Sequence, residues 1–439
     1  MRIDVRLWGA LLGCAIAGLL WPARAAAIPV FARIYDKPCH ACHTVYPQLN
    51  PAGEAFRAHG LHGLKPAIEP LALGPYLAVP GTLPLALQFA VGEDLTHTHV
   101  PGQPDSTRTH FNFEFLSLLA GGELGPYLSF MADYAPLVTN PQTGEHQTIT
   151  RPGIAFAEAH AEPDEWLANL KLGLFELPLG ESPRVHRLSV RPYLIYGITA
   201  FGLLGRRPPV ITHRNDSLVL ASGQIGCEAS ALEPDSGLQG AVGITTGSNN
   251  RIDNNTSADV FVRVGQELPT RRAGLFLYYG PDTLSDGATD HVLRLGPDLT
   301  LVSRRTRLAA QFLAGWDSNP TAQHDSLWYY GGFLQGDYRF TPALIALLRF
   351  DYVGMPNFDD RPDGGASHVR RRLWEVTGGA QYLIVENLKV VAEVTYAENH
   401  DAVTDATGTG LTATLRVATA FWPLTPPLID QWFGNGPPR

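Results

Sequence analysis

From about residue 82 onward the chain alternates. In one run Leu83, Leu85, Leu87, Phe89 and Val91 alternate with Thr82, Pro84, Ala86, Gln88 and Ala90. In later runs Leu308, Phe312 and Trp316 stand against Arg307 and Gln311, and Leu348, Phe350 and Tyr352 against Arg349 and Asp351. Gly, Pro, Asn and Asp punctuate the runs, and no helical period interrupts them. A period of two is the signature of strands with two unlike faces. A sandwich would turn the apolar face inward; a membrane barrel turns it out to lipid and leaves polar side chains in a wet lumen. The pattern lasts about 350 residues, more than one sandwich holds, and charges stand in mid-strand. Trp166, Trp316, Trp328, Tyr329, Tyr330, Trp374, Phe421 and Trp422 sit near run ends, where interfacial girdles lie. The reading is all-β: an antiparallel outer-membrane barrel over 71–422, in contact with outer-membrane lipid.

The links between runs alternate short and long. Short periplasmic turns and long outer loops make that pattern. With both chain ends on the periplasmic side the count must be even. A weak candidate strand, Arg191 to Ala200, is therefore set aside, which gives sixteen strands, with eighteen as the alternative. Residues 176–215 become a third outer loop, long enough to fold into the lumen.

Before the barrel, Arg2 and Arg6 precede an apolar run from Leu7 to Leu20 and small residues at 23–27. This reads as a cleaved signal peptide over 1–27, and Cys14 leaves with it. No later stretch reaches the roughly 18 apolar residues of a spanning helix. Removal leaves 30 basic and 41 acidic residues, a net charge of −11, which argues against a nucleic-acid partner.

Residues 28–70 form a small α-helical segment around Cys39-His40-Ala41-Cys42-His43. Two thiols three apart with a histidine after the second are what covalent haem attachment needs. The thiols add across the vinyl groups and the histidine ligates the iron. Four Cys and fifteen His in 439 residues would produce about 0.001 such runs by chance. A zinc site would want two further ligands, and the one other cysteine of the mature chain, Cys227, is far off and read as buried in a strand. The motif predicts one covalent haem c on Cys39 and Cys42, with His43 as proximal ligand. Pro47 ends the turn, and Pro51 to His59 starts a second helix. His59 and His62 are the local candidates for a distal ligand, each weighed against a plain surface histidine. Met131 and Met355 lie elsewhere in the chain. Met131 with Asp133, and Glu158 with His160 and Glu162, share presumed inward faces and are candidates for lumenal contact with haem or metal. Acids cluster in the outer loops, at Asp282, Asp286 and Asp290, at Asp359, Asp360 and Asp363, and at Glu398, Asp401 and Asp405. A solvated loop accounts for them. Residues 423–439 form a tail beyond the last aromatic pair.

Pro29-x-Phe31-Ala32-Arg33, the single CxxCH, Pro47-x-Leu49-Asn50 and Gly53-Glu54-x-Phe56-Arg57, followed by a porin-sized barrel, resemble the fused monohaem cytochrome–porins of the outer membrane. The best-known members of that family are the iron oxidases of iron-oxidising bacteria. The resemblance implies haem on Cys39, Cys42 and His43. It also implies uptake of electrons from an extracellular reduced metal, Fe(II) in the iron oxidases, and delivery to a periplasmic carrier such as a soluble cytochrome or copper protein. If an enzyme, the chain is an oxidoreductase of that type. The alternative is a solute-conducting porin whose haem segment is a plug or sensor.

Overall fold

Every strand of the barrel pairs antiparallel with its sequence neighbours, and the last returns to pair with the first. The computed structural model describes residues 30–139, 146–148, 154–161, 167–184, 186–198, 203, 218–247, 249, 256–283, 289–320, 326–360, 367–401 and 406–421. The strands are β1 (Leu85–His99), β2 (Ser106–Glu123), β3 (Leu128–Thr139), β4 (Ile154–Ala161), β5 (Leu167–Glu176), β6 (Gly223–Leu232), β7 (Leu238–Thr245) and β8 (Asp259–Leu268). They continue as β9 (Arg271–Thr283), β10 (Thr289–Val302), β11 (Thr306–Asp317), β12 (Leu327–Arg339), β13 (Leu344–Asp360), β14 (Ser367–Val385), β15 (Leu388–Asp401) and β16 (Ala406–Phe421). A three-residue piece, His146–Thr148, pairs with β3 beyond the end of β4 and belongs to the same strand line. The barrel thus has sixteen strands. The signal peptide and the 423–439 tail lie outside the described residues, as do Trp166, Glu162, Asp286, Asp363 and Asp405.

The alternation of the sequence becomes the two faces of the wall. On β13 Leu348 is 62 % exposed, and Arg349 beside it is fully buried. Leu172, Val262, Leu275, Leu334 and Val394 extend the outer apolar band, the face that a membrane-spanning barrel turns to lipid. Inward-facing charges pair across strands: Arg263 with Asp298 at 2.8 Å, and Arg294 with Asp317 at 2.6 Å. Two sequence readings are corrected here. In Trp328-Tyr329-Tyr330 only the outer two face lipid, at 52 % and 40 %. Tyr329 is 3 % exposed and turned inward, under the Arg294 guanidinium at 4.9 Å. Cys227 on β6 pairs with Leu172 and Ile244 of the outward face and is half-exposed, not buried. No helix among the described residues is long and apolar enough to cross a membrane.

The connection from β5 to β6 runs inside the barrel. Leu177, Leu179, Tyr193, Ile195 and Tyr196 are buried against Phe261, Phe276, Leu313, Phe333 and Val353 of the wall. Tyr193 stacks on Phe333 with centroids 4.1 Å apart. Each such side chain contributes about 1.5–3 kcal/mol when fully buried, so this apolar cluster holds the loop in place. The wall's polar groups take the loop's backbone as their partner. Arg349 donates to the carbonyls of Arg191 and Pro192 at 3.0 Å each, and Glu393 accepts the Val190 amide at 2.9 Å. Asp351 accepts the Leu194 amide at 3.0 Å. Within the stretch set aside as a weak strand, a short helix (Leu194–Gly197) forms instead.

The N-terminal head lies across the mouth that carries the short turns. It holds α1 (Val30–Ile34), a 3₁₀ turn at Cys39–Ala41, a small hairpin (His43–Val45 with Gln48–Leu49) and α2 (Pro51–Ala58). Pro51 opens α2, and the Asn50 side chain caps it by accepting the Gly53 amide at 3.0 Å. The same side chain donates to the carbonyls of His40 and Ala41 at 3.0 and 3.2 Å, which ties the motif to the helix. A Cβ on Gly53 would stand 2.1 Å from the Cys42 carbonyl oxygen, so only glycine lets the two pass.

Candidate functional site

Cys39, Cys42 and His43 open on a cavity of about 380 Å³ between head, lumenal loop and wall. Phe31, Tyr35 and Phe56 give it apolar lining from the head, and Leu119, Phe156 and Phe175 from the wall. The size falls in the range of small-molecule and cofactor sites.

The motif residues have the chemistry of their predicted roles. Both thiols are free. Burial and the Glu386 carboxylate push the Cys39 thiol up to about 11, and burial also raises Cys42. Both are therefore thiols at neutral pH, the species that adds S and H across a vinyl double bond. Nδ1 of His43 lies 3.1 Å from the Pro47 carbonyl, to which it donates, leaving Nε2 as the nitrogen with a lone pair. Burial lowers the His43 pKa and keeps the ring neutral. A ring nitrogen fixed by a backbone carbonyl is the usual outer contact of a metal-ligating histidine. These residues fit a c-type haem.

Polar contacts hold the head on the wall. Glu386, in the turn between β14 and β15, accepts the Cys39 amide at 2.9 Å and meets His40 Nδ1 at 2.6 Å. Tyr46 donates to Gln88 of β1 at 2.7 Å, and Gln48 to Asp337 of β12 at 3.0 Å. Asn169 of β5 donates to the Ala58 carbonyl at 2.9 Å. Glu54 of α2 meets Nε2 of His186 in the lumenal loop. Nδ1 of His186 accepts the Ser182 amide at 2.9 Å, so the proton sits on Nε2 and is donated to Glu54. Sequence reasoning missed Glu181 entirely. It is fully buried and accepts from Arg272 at 2.8 Å and Thr300 at 2.5 Å, and it also pairs with Arg307.

The two histidines expected as distal ligands are placed elsewhere. His59 caps the end of α2, with Nδ1 2.6 Å from the Ala55 carbonyl, and borders a separate recess on the short-turn face. After it, Gly60 and Leu61 both adopt φ near 64°, which turns Leu61 into the cavity and carries His62 to Glu123, 3.1 Å away. Of the inward-facing wall candidates, Met131, Asp133 and Glu158 do line the cavity. The side chain of His160 lies outside the described residues.

No family model and no curated protein matches the chain. Among solved structures it is similar to an anion-selective porin from Comamonas acidovorans. Identity is 10% and the TM-score 0.50, over 76% of this chain and 99% of that one. The outer membrane channel DcaP of Acinetobacter baumannii matches at 10% identity and TM-score 0.49, over 77% and 97% of the two chains. The first likeness gives the fold, a porin barrel. Neither carries anything about haem, a cytochrome fusion or iron oxidation.

Proposed function

We propose that this chain is an outer-membrane cytochrome fused to a porin-like barrel, moving electrons from an extracellular reduced metal, Fe(II) first among them, to a periplasmic carrier. The observation that carries the reading is the placement of Cys39, Cys42 and a neutral, carbonyl-fixed His43 on one mainly apolar cavity, rimmed by charged side chains, at the barrel mouth. Cys39 and Cys42 would hold the haem through thioethers, and His43 Nε2 would ligate the iron. Bound there, the group supplies a one-electron carrier. Phe31, Tyr35 and Phe56 exclude water from it, and the Pro47 carbonyl sets the ring of His43. The mouth with the short turns is the periplasmic one in barrels of this kind, which suits delivery to a soluble acceptor. The lumenal loop packs the interior with apolar and ion-paired side chains, as a sheath would require.

A second reading has its own support. Likeness to a porin favours a solute channel, with the head as plug or sensor. The loop, held on the wall by Glu393, Asp351 and Arg349, would then narrow the channel.

The deciding experiment uses the full chain matured with haem-attachment machinery and purified in detergent. Fe(II) is added while the haem absorption bands are followed. Rapid reduction supports the electron-transfer reading. A haem reduced by dithionite but not by Fe(II), together with steady single-channel conductance, supports the porin.

A further inference from the structure

We infer that Met131, on strand β3 of the barrel wall, is the distal iron ligand of a haem held by Cys39, Cys42 and His43. The inference rests on the haem reading above.

Besides the motif itself and the hard, anionic carboxylates such as Asp133 and Glu158, six described side chains on the cavity carry a donor suited to haem iron: Met131, Tyr35, Tyr46, Lys37, Lys171 and Lys389. Four are committed. Tyr35 donates to Glu123 at 2.7 Å, and Tyr46 to Gln88 at 2.7 Å. Lys171 is paired with Glu228 at 2.8 Å, and Lys389 donates to Gln381 at 3.0 Å and to the Tyr46 carbonyl. Lys37 is an exposed ammonium, with no lone pair to offer until it loses a proton. Met131 remains. Its thioether is neutral, soft and cheap to desolvate, and it packs with Phe31 and Phe56 on the cluster of Val30, Ile34 and Tyr35.

A chain of contacts across the seam between head and wall links His43 to the strand that carries Met131, and both residues line the one cavity. The Tyr46 ring lies edge-on to His43 with centroids 5.5 Å apart. Its hydroxyl meets Gln88, which pairs with Ser117 of β2. Ser117 in turn bonds Asp133, two residues along the inward face of β3 from Met131. The head would then supply one axial ligand and the barrel the other, a pairing that raises the potential relative to two histidines.

The test compares wild type with Met131→Leu, which keeps apolar volume, and Met131→His, all matured with haem. Spin state is read by electron paramagnetic resonance, and carbon monoxide binding by absorption. Wild type should be low-spin, with the weak near-infrared charge-transfer band of sulfur ligation. M131L should become high-spin when ferric and bind carbon monoxide at least tenfold faster when ferrous. M131H should return to low spin, lose the near-infrared band and shift to lower potential. His59→Ala and His62→Ala should change none of these. A low-spin M131L with the wild-type spectrum overturns the assignment and leaves the haem reading intact. Because the near-infrared band is read on wild type, its absence overturns the assignment even if a variant misfolds. Unmodified Cys39 and Cys42 thiols by mass spectrometry overturn the haem reading, and the assignment with it.

Discussion

The wall and the head solve the same problem in opposite ways. The wall is large and repetitive: one rule, apolar outward and polar inward, runs along its strands and is relaxed on the inner face only where Phe261, Phe276, Leu313, Phe333 and Val353 meet the lumenal loop. The head is small and irregular. Its apolar residues, Val30, Ile34 and Tyr35, form a cluster only together with Ala86, Leu119 and Met131 of the wall, beside Phe31, Phe56 and Leu64 of the head itself. A segment of this size cannot build a core of its own, so it borrows one, from the barrel and from whatever fills the cavity. Damage to the wall rule should therefore act locally and in proportion to lipid depth. Damage to the head should act through its few attachments.

The largest effect tests the head's chemistry. Cys39→Ala with Cys42→Ala should abolish covalent haem completely, read as loss of haem stain on a denaturing gel, while the barrel still resists SDS before heating. Next comes the anchor between loop and wall. Glu181→Ala leaves Arg272 and Arg307 buried beside a missing carboxylate, and breaking such a pair costs about 3–5 kcal/mol. The loop should loosen and single-channel conductance should rise above wild type. A conductance equal to wild type would show that the loop is held by its apolar cluster alone.

The wall rule is sharpened by two neighbours. Leu348→Arg puts a charge on the lipid face and should destabilise the barrel by about 2–4 kcal/mol in urea refolding from vesicles. The arginine one residue on, at 349, already sits in the wall without that cost, because it points to the loop carbonyls. The smallest effect is at Glu54. Burial alone would raise its pKa, but His186, Arg57 and Arg272 outweigh burial and hold the carboxyl below the ordinary range. A depressed carboxylate stabilises docking at and above neutral pH, and that stabilisation is lost as pH falls below the usual carboxylate range. Protease protection of the head should weaken on acidification, and Glu54→Gln, costing about 1–3 kcal/mol, should remove the pH dependence.

These contrasts also show what could be read before folding. The wall was legible because lipid and lumen impose period two residue by residue, and the turn lengths carry the count of sixteen. Legibility stops where the membrane stops. Strands β13 and β14 stay paired out to Asp360 and Ser367, so Asp359 and Asp360, which the sequence assigns to an outer loop because no period of two marks them, belong to the strand. Tyr329 reads as a girdle residue because its neighbours are, yet period two puts it in the lumen. The motif made Cys39, Cys42 and His43 legible. Met131 stands 88 residues from His43, and only barrel closure and head docking bring it to the same cavity. Glu181 had no local signal, because its partners come from β9, β10 and β11.

The bond between Glu54 and His186 also couples three parts of the molecule. The seated loop holds His186 in place, and Arg349, Asp351 and Glu393 of the wall hold the loop. The head is thus latched through the loop as well as on the wall, and a loop that lifted from the wall would release one of the head's fastenings with it.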